Sequence, residues 1–203
     1  MKSVKQTKKC YDEPNYREDV RYFLSYLQEV LTWIIGVLLV FTFLFRTVIV
    51  SGSSMERTLF DGDCLLLLGN VFYSEPQKGD IVVISKQSYD GGKSIIKRVI
   101  ATEGQVVDID FEEGVVYVDG QALDEPYTNT PTNLAEGMTF PLTVDEGCIF
   151  VLGDNRNVSK DSRSTEIGLV DTREIVGKVI CLFFPGNNKG TMERDFKRIG
   201  GVS

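Results

Sequence analysis

The stretch VIVSGSSMERTLFDGD, residues 48–63, sets Ser51, Gly52, Ser53 and Ser54 straight after a long apolar run. Met55 and the Thr58–Leu59 pair follow. Serine and glycine are ordinary linker residues, so the stretch reads either as a tether or as a hydroxyl placed for chemistry. Its surroundings decide between the two.

Upstream, residues 30–50 (VLTWIIGVLLVFTFLFRTVIV) carry a single charge, Arg46. As a helix this run would be about 31 Å long, which matches a bilayer core. A buried helix of a soluble protein is the competing reading, but no polar face appears between Val30 and Phe45. Trp33 and Arg46 suit interfacial anchoring and snorkelling at the two ends. Residues 1–29 hold Lys2, Lys5, Lys8, Lys9, Arg17 and Arg21, whereas 51–65 hold only Arg57. The positive-inside rule therefore puts the N-terminus in the cytoplasm and everything after Val50 outside. The N-terminal region and apolar run are too long for a cleaved signal peptide, and no A-x-A site follows. Ser54 would lie within about 13 Å of chain from the end of the anchor.

Downstream, residues 51–203 carry 15 Lys+Arg and 24 Asp+Glu. That acidic balance argues against a nucleic-acid partner. Apolar or β-branched runs recur at 63–68, 80–85, 94–102, 147–152 and 174–184, the pattern of a mainly β domain. QVVDIDFEEGVVYV, 105–118, predicts a hairpin turning at Glu113–Gly114, and Asp119–Gly120 opens another turn. Pro126, Pro131 and Pro141 punctuate a polar, loop-rich stretch over 124–146, and a short helix is expected at Asp171–Ile175.

The chain of 203 residues contains no histidine. A Ser-His-Asp triad, a Cys-His pair and any His-ligated metal site are thereby excluded. Cys10, Cys64, Cys148 and Cys181 are far apart and form no C-x-x-C pair, so a zinc site is not expected. They read mostly as small buried hydrophobes.

A serine nucleophile then needs a lysine, a carboxylate or an amine as its base. In SIIKRVIAT, 94–102, strand alternation puts Ile95, Lys97, Val99 and Ala101 on one face and Arg98 on the other. An ordinary lysine is neutral only about once in 2,500 at pH 7, and burial against aliphatic side chains can lower its pKa by several units. Taken alone, a lysine that snorkels at a strand edge is the commoner reading. A third stretch, GDNRNVSKDSR at 153–163, follows a strand as a turn would and crowds Asp154, Ser159, Asp161, Ser162 and Arg163 together. There a hydroxyl can orient the lysine, and an Asp161–Arg163 pair can brace the loop.

These segments, in this order, resemble type I signal peptidases, the membrane-anchored Ser–Lys proteases. The boxes are Ser54-Met55-Glu56-Arg57-Thr58-Leu59, Gly79-Asp80-Ile81-Val82, Lys97-Arg98-Val99-Ile100-Ala101 and Gly153 through Arg163, of which the last is the most specific. The single-anchor layout looks like the Gram-positive branch. The resemblance implies a catalytic core of coiled antiparallel sheets behind one N-terminal transmembrane helix. It implies Ser54 as nucleophile, Lys97 as general base and Ser159 as the serine that contacts the lysine. Asp161, Arg163 and Asp154 would shape the site, and Ser53 or Ser51 would help hold the oxyanion. Domain limits on this reading are a cytoplasmic segment 1–29, an anchor 30–50 and an extracytoplasmic catalytic domain 51–203, with 104–147 as a variable excursion. Preproteins with signal peptides cut after small residues, the lipid bilayer and the secretion translocon are the implied partners, with no metal or cofactor. Two departures stand out. The family's proline after S-x-M-x is Arg57, and its G-x-P-G-D after the lysine box reads Ala101-Thr102-Glu103-Gly104-Gln105. They keep open a dedicated-client or non-catalytic paralogue that assists surface-protein or pilus assembly.

Overall fold

The computed structural model describes residues 16–87, 89–187 and 194–202. Cys10 and the basic residues Lys2, Lys5, Lys8 and Lys9 lie outside them. The chain divides into two compact units, Met1–Thr42 and Phe43–Ser203.

A helix, α1, runs over Tyr16–Leu44 and supplies the described part of the first unit up to Thr42. Its segment Asp19–Thr42 contains an 18-residue window with a mean hydropathy of 1.8 and none of that window is buried, so it is long and apolar enough to cross a membrane. The helix is displaced towards the N-terminus relative to the expected 30–50. Residues 16–29 extend it because Leu, Glu, Gln and Arg are good helix formers. At the other end Thr47, Val48 and Ile49 are β-branched and favour a strand.

The second unit is built of β1 (Phe45–Ile49), β2 (Cys64–Gly69), β3 (Ile81–Ser85), β4 (Ser94–Thr102), β5 (Val106–Asp110), β6 (Val115–Val118), β7 (Gln121–Ala122), β8 (Leu142–Thr143), β9 (Cys148–Leu152), β10 (Val170–Asp171), β11 (Ile175–Phe184) and β12 (Gly200–Gly201). One sheet has the order β1-β2-β11-β3-β4-β9-β10, with β12 on β11. The other has the order β7-β6-β5-β8, and both are antiparallel. The expected strands are present, including the hairpin of β5 and β6. The short helix expected at 171–175 is a single 3-10 turn, Thr172–Glu174. Cys64, Cys148 and Cys181 are half-buried free thiols.

The apolar run of β3 is buried on both faces, which is why it reads as continuous rather than alternating. Ile81 and Val83 join one core with Met55, Leu59, Leu65 and Leu67. Val82 and Ile84 join another with Ile95, Val99 and Val151. A third core, under the β5–β6 hairpin, contains Ile100, Ala101, Phe150 and Leu152. The expected common face of β4 holds for Ile95 and Val99 but not for Ala101. A register shift between Val99 and Ala101 inserts an extra residue against β9, so Ile100 and Ala101 both enter the hairpin core.

Strand β4, which carries Lys97, is paired unevenly along its length. It pairs with β3 over Ser94–Arg98 but meets β9 only from Arg98 onwards, where Arg98 faces Leu152. Beyond Leu152 the chain leaves the sheet. Residues 94–97 thus keep one edge without a partner strand among the described residues.

Candidate active site

Ser54 sits on a tight turn. Glu56 N–H donates to the Ser53 carbonyl at 3.1 Å, and Leu59 N–H to the Met55 carbonyl at 2.8 Å. Met55 and Leu59 are the anchors of this turn: both are fully buried in the core under β2 and β3. Burying two large side chains four residues apart holds the rest of the turn at the surface of that core, with Ser54 at its edge. The turn is also held from the far side. Asn155 N–H donates to the Ser54 carbonyl at 3.0 Å, and Asn155 Nδ2 donates to the Ser53 carbonyl at the same distance.

Lys97 lies at the unpaired edge of β4 and is 3% exposed. Its Nζ is 2.9 Å from Ser54 Oγ and 3.1 Å from the Ile96 carbonyl oxygen. Burial pushes its ammonium down to about 8, against the carboxylates of Asp161, Asp154 and Glu136, which pull the other way. At a pKa near 8, about a tenth of the lysine is neutral at pH 7, against about one part in 2,500 for a free side chain. The arrangement can accept a hydroxyl proton from Ser54.

The loop 153–163 wraps behind this pair. Gly153 leaves no room for a side chain: a Cβ there would stand 2.1 Å from Ser159 Oγ and 2.6 Å from the Ser54 carbonyl oxygen. Asp161 and Arg163, both fully buried, form a two-point ion pair at 2.8 and 2.9 Å. The Asp161 carboxylate also accepts the Gly153 N–H at 3.0 Å, and Arg163 donates to the Leu134 and Ser159 carbonyls. Each charge of the pair is matched while the loop is tied at several points, the condition under which a buried pair is tolerable. Ser159 is buried beside Gly153, yet its hydroxyl donates to the Lys160 carbonyl at 3.4 Å. Among the described residues it makes no hydrogen bond to Lys97.

The sequence places Ser54, Lys97, Asp161 and Arg163 in one site, and the fold brings them together. For Asp154 it suggests only a general shaping role. Asp154 is fully buried and takes a bidentate bond from Arg98, at 2.9 and 2.8 Å, and a 2.5 Å bond from Thr58 Oγ1. Arg98 donates as well to the Gly79 carbonyl at 3.0 Å and stacks 3.9 Å from the Tyr127 ring centre. One carboxylate therefore ties the nucleophile turn to β4. Strand alternation turns Arg98 away from Lys97, but no pattern in the sequence names its partner.

The excursion after β7 closes over the same loop. Arg156, buried, donates to Glu125 and to Thr132 Oγ1. Arg57 Nη1 donates to the Thr128 carbonyl at 2.7 Å. Arg57 has φ +93°, a backbone conformation that proline cannot adopt. The turn that departs from G-x-P-G-D is stabilised differently too: Gln105 Oε1 accepts the Thr102 N–H at 3.0 Å, and Glu103 accepts the Gly147 N–H at 2.8 Å.

A cleft of about 390 Å³ opens on Ser54 and Lys97. Val48 and Ile49 of β1 line one side and Ser94–Ile96 of β4 the other, with Val158 and Lys160 at the rim. Since β1 is an outer strand of its sheet, the cleft lies between two strand edges.

A β-rich unit with a hydroxyl on a buried lysine defines the class of serine hydrolases that work without histidine. The family model for signal peptidase, peptidase S26, matches residues 23–184, and the chain belongs to that family of serine endopeptidases. It is 34% identical to signal peptidase I of Bacillus licheniformis over 80% of this chain and 89% of that one. It is 32% identical to signal peptidase I T of Bacillus subtilis over 90% and 96% of the two chains. A crystal structure of a signal peptidase I from Enterococcus faecalis is 31% identical, covering 52% of this chain and 97% of its own, with a TM-score of 0.43. Family and apolar helix together fit a membrane-anchored protein.

Proposed function

We propose that this chain removes signal peptides from preproteins with Ser54 as nucleophile and Lys97 as general base. The observation that carries the proposal is the 2.9 Å contact between Lys97 Nζ and Ser54 Oγ at a lysine that burial holds near pKa 8. Neutral Lys97 takes the Ser54 proton as Oγ attacks the scissile carbonyl. It then returns that proton to the leaving amine, and water activated by the same nitrogen hydrolyses the ester. The Ser54 N–H donates to no acceptor among the described residues, which leaves it free for the oxyanion. Ser53 and Ser51 offer a second donor beside it.

The substrate enters the cleft as an extended strand. The unpaired edge of β4 supplies main-chain partners, and the apolar walls take small side chains on either side of the cut. The basic flank before the helix and the acidic domain after it favour a cytoplasmic N-terminus and an extracytoplasmic catalytic domain from residue 51 onwards. Nine residues lie between the end of α1 at Leu44 and Ser54, at most about 33 Å of extended chain. Cleavage near the membrane surface follows, at the point where a preprotein leaves the translocon.

The test is cleavage of a preprotein carrying Ala-x-Ala by the full chain in detergent or membranes, compared with Ser54→Ala, Ser53→Ala and Lys97→Ala. Loss with Ser54→Ala and Lys97→Ala, while Ser53→Ala stays largely active, supports the dyad. An inactive wild type would overturn the catalytic reading in favour of a non-catalytic relative.

A further inference from the structure

Thr58, on the nucleophile turn, is gripped at three atoms. Its N–H donates to the Met55 carbonyl at 3.1 Å, and its hydroxyl donates to Asp154 Oδ2 at 2.5 Å. Its carbonyl accepts Arg198 Nη2 at 3.3 Å, from 140 residues further along the chain. The same guanidinium spans the carboxylate of Asp63, with Nη2 at 2.6 Å and Nη1 at 3.1 Å. Asp63 is fully buried, and Arg198 is its ion-pair partner. The carboxylate also accepts the Phe60 and Gly186 N–H groups, each at 2.8 Å.

Asp63 closes the loop that carries Ser54. Val50 N–H donates to the Asp63 carbonyl at 2.8 Å and Gly62 N–H to the Val50 carbonyl at 2.9 Å, so the two ends of 50–63 are zipped together. Gly186 runs directly behind this closure, where a Cβ would stand 2.5 Å from the Asp61 carbonyl oxygen. Arg198 is itself placed by the sheet. Strand β12 pairs with β11, Cys181 opposite Gly201 and Leu182 opposite Gly200. The Phe196 ring meets Phe184 edge-on with centres 5.8 Å apart, and the Arg198 guanidinium lies 4.4 Å from the centre of the Phe60 ring. The loop is thus clamped from two sides. Asp154 and Asn155 hold it from the 153–163 loop, Arg198 holds it from segment 194–202, and the two grips meet on Thr58.

We propose that Arg198 is a positioning residue for Ser54: by bridging the Asp63 carboxylate and the Thr58 carbonyl, it fixes the nucleophile turn in the orientation that presents Oγ to Lys97. This rests on the assignment of Ser54 as nucleophile. Two functions of the side chain are separable. Its charge offsets the buried Asp63 carboxylate, which without it is left unpaired at a cost in stability. Its planar fork reaches two acceptors at once, and that sets the turn. A lysine supplies the charge as a single point and cannot supply the fork.

The experiment measures kcat, KM and Tm for the full chain in detergent as wild type, Arg198→Lys, Arg198→Gln, Lys197→Met and Ser54→Ala. All are assayed on the same preprotein at a temperature where circular dichroism shows them folded. Arg198→Lys should keep a Tm close to that of wild type yet lose about tenfold in kcat, the loss expected of a sub-ångström misplacement. Its KM should stay within about twofold, since the interaction lost is not one with bound substrate. The acid limb of its pH profile should also stay in place, because Lys97 is untouched. Arg198→Gln should lose both Tm and kcat, and Lys197→Met, at the exposed neighbour, neither. Unchanged kcat per folded enzyme in both Arg198 variants means that the residue only supports the fold, and it overturns the proposal. A loss confined to KM, a displaced acid limb, or failure of both Arg198 variants to fold overturns it as well, the last because charge and fork would then be inseparable. Cleavage surviving in Ser54→Ala overturns the underlying assignment instead.

Discussion

Gly153 and Ser159 occupy nearly the same space: a single methyl group on Gly153 would stand 2.1 Å from the Ser159 hydroxyl. The Ser54 carbonyl lies on the same side of Gly153, at 2.6 Å from that position. The glycine is therefore what allows the 153–163 loop and the nucleophile turn to close on each other.

Gly153→Ala should displace Ser159, or the Ser54 carbonyl, by roughly an ångström. A misplacement of that size costs on the order of 100-fold in rate, and overpacking costs about 1–3 kcal/mol in stability. Cleavage kinetics together with urea unfolding check both. Activity within about threefold of wild type would show that the loop can move aside.

Asp154→Asn should be among the most destabilising single changes. It leaves Arg98, 1% exposed, without its counter-charge, and breaking a buried pair from one side costs about 3–5 kcal/mol. Weakening of the Thr58 bond adds to this by loosening the turn that carries Ser54. Thermal unfolding of the mutant, with or without residual cleavage, measures it. A change in Tm of only a degree or two would mean that Arg98 finds another partner.

Lys97 ties both activity and stability to pH, and in the same sense. Activity should climb as pH rises through about 8, because the amine must be neutral. Its folded pKa is depressed from 10.5 to about 8, so the unfolded chain binds more protons between those values, and stability from this group rises with pH across that window. Below it the full cost, on the order of 3 kcal/mol, remains in place. Lys97→Met should therefore abolish cleavage yet raise the unfolding midpoint at pH 7, with the gain shrinking towards pH 10. A midpoint that falls at pH 7 would refute the burial argument.

Arg57 stands at φ +93° on the nucleophile turn. A residue with a Cβ in such a conformation carries about 1–3 kcal/mol of strain, which glycine does not. Arg57→Gly should consequently be more stable than Arg57→Ala by about 1 kcal/mol, both having lost the bond to the Thr128 carbonyl. Arg57→Pro should force the turn to rearrange and reduce cleavage more than either. Equal stability for the Gly and Ala variants would mean that the turn relaxes out of the positive φ.

Much of the fold is legible in the sequence because the signals are local. An apolar run of bilayer length, period-2 strands, glycines at turns and two hydroxyl-rich segments need only neighbouring residues to be read. Lys97 is legible only in part: alternation sets it among aliphatic residues in SIIKRVIA, but a lysine snorkelling at a strand edge reads the same way. Local signals mislead where two elements abut: residues 45–49 are as apolar as the helix before them, and only their pairing with β2, from Phe45 opposite Leu68 to Ile49 opposite Cys64, makes them a strand.

By itself, then, the sequence determined the helix, the strands, the absence of histidine chemistry and the candidacy of Ser54 and Lys97, all properties of chain segments. Tertiary structure alone decided which charges meet. Asp154 finds Arg98 and Thr58, 56 and 96 residues away, Ser159 turns to the Lys160 carbonyl, and residues 134–138, which carry no recognisable motif, are laid along the 161–164 loop. Coulombic interactions and hydrogen bonds depend on distance and burial, and neither is set until distant segments pack.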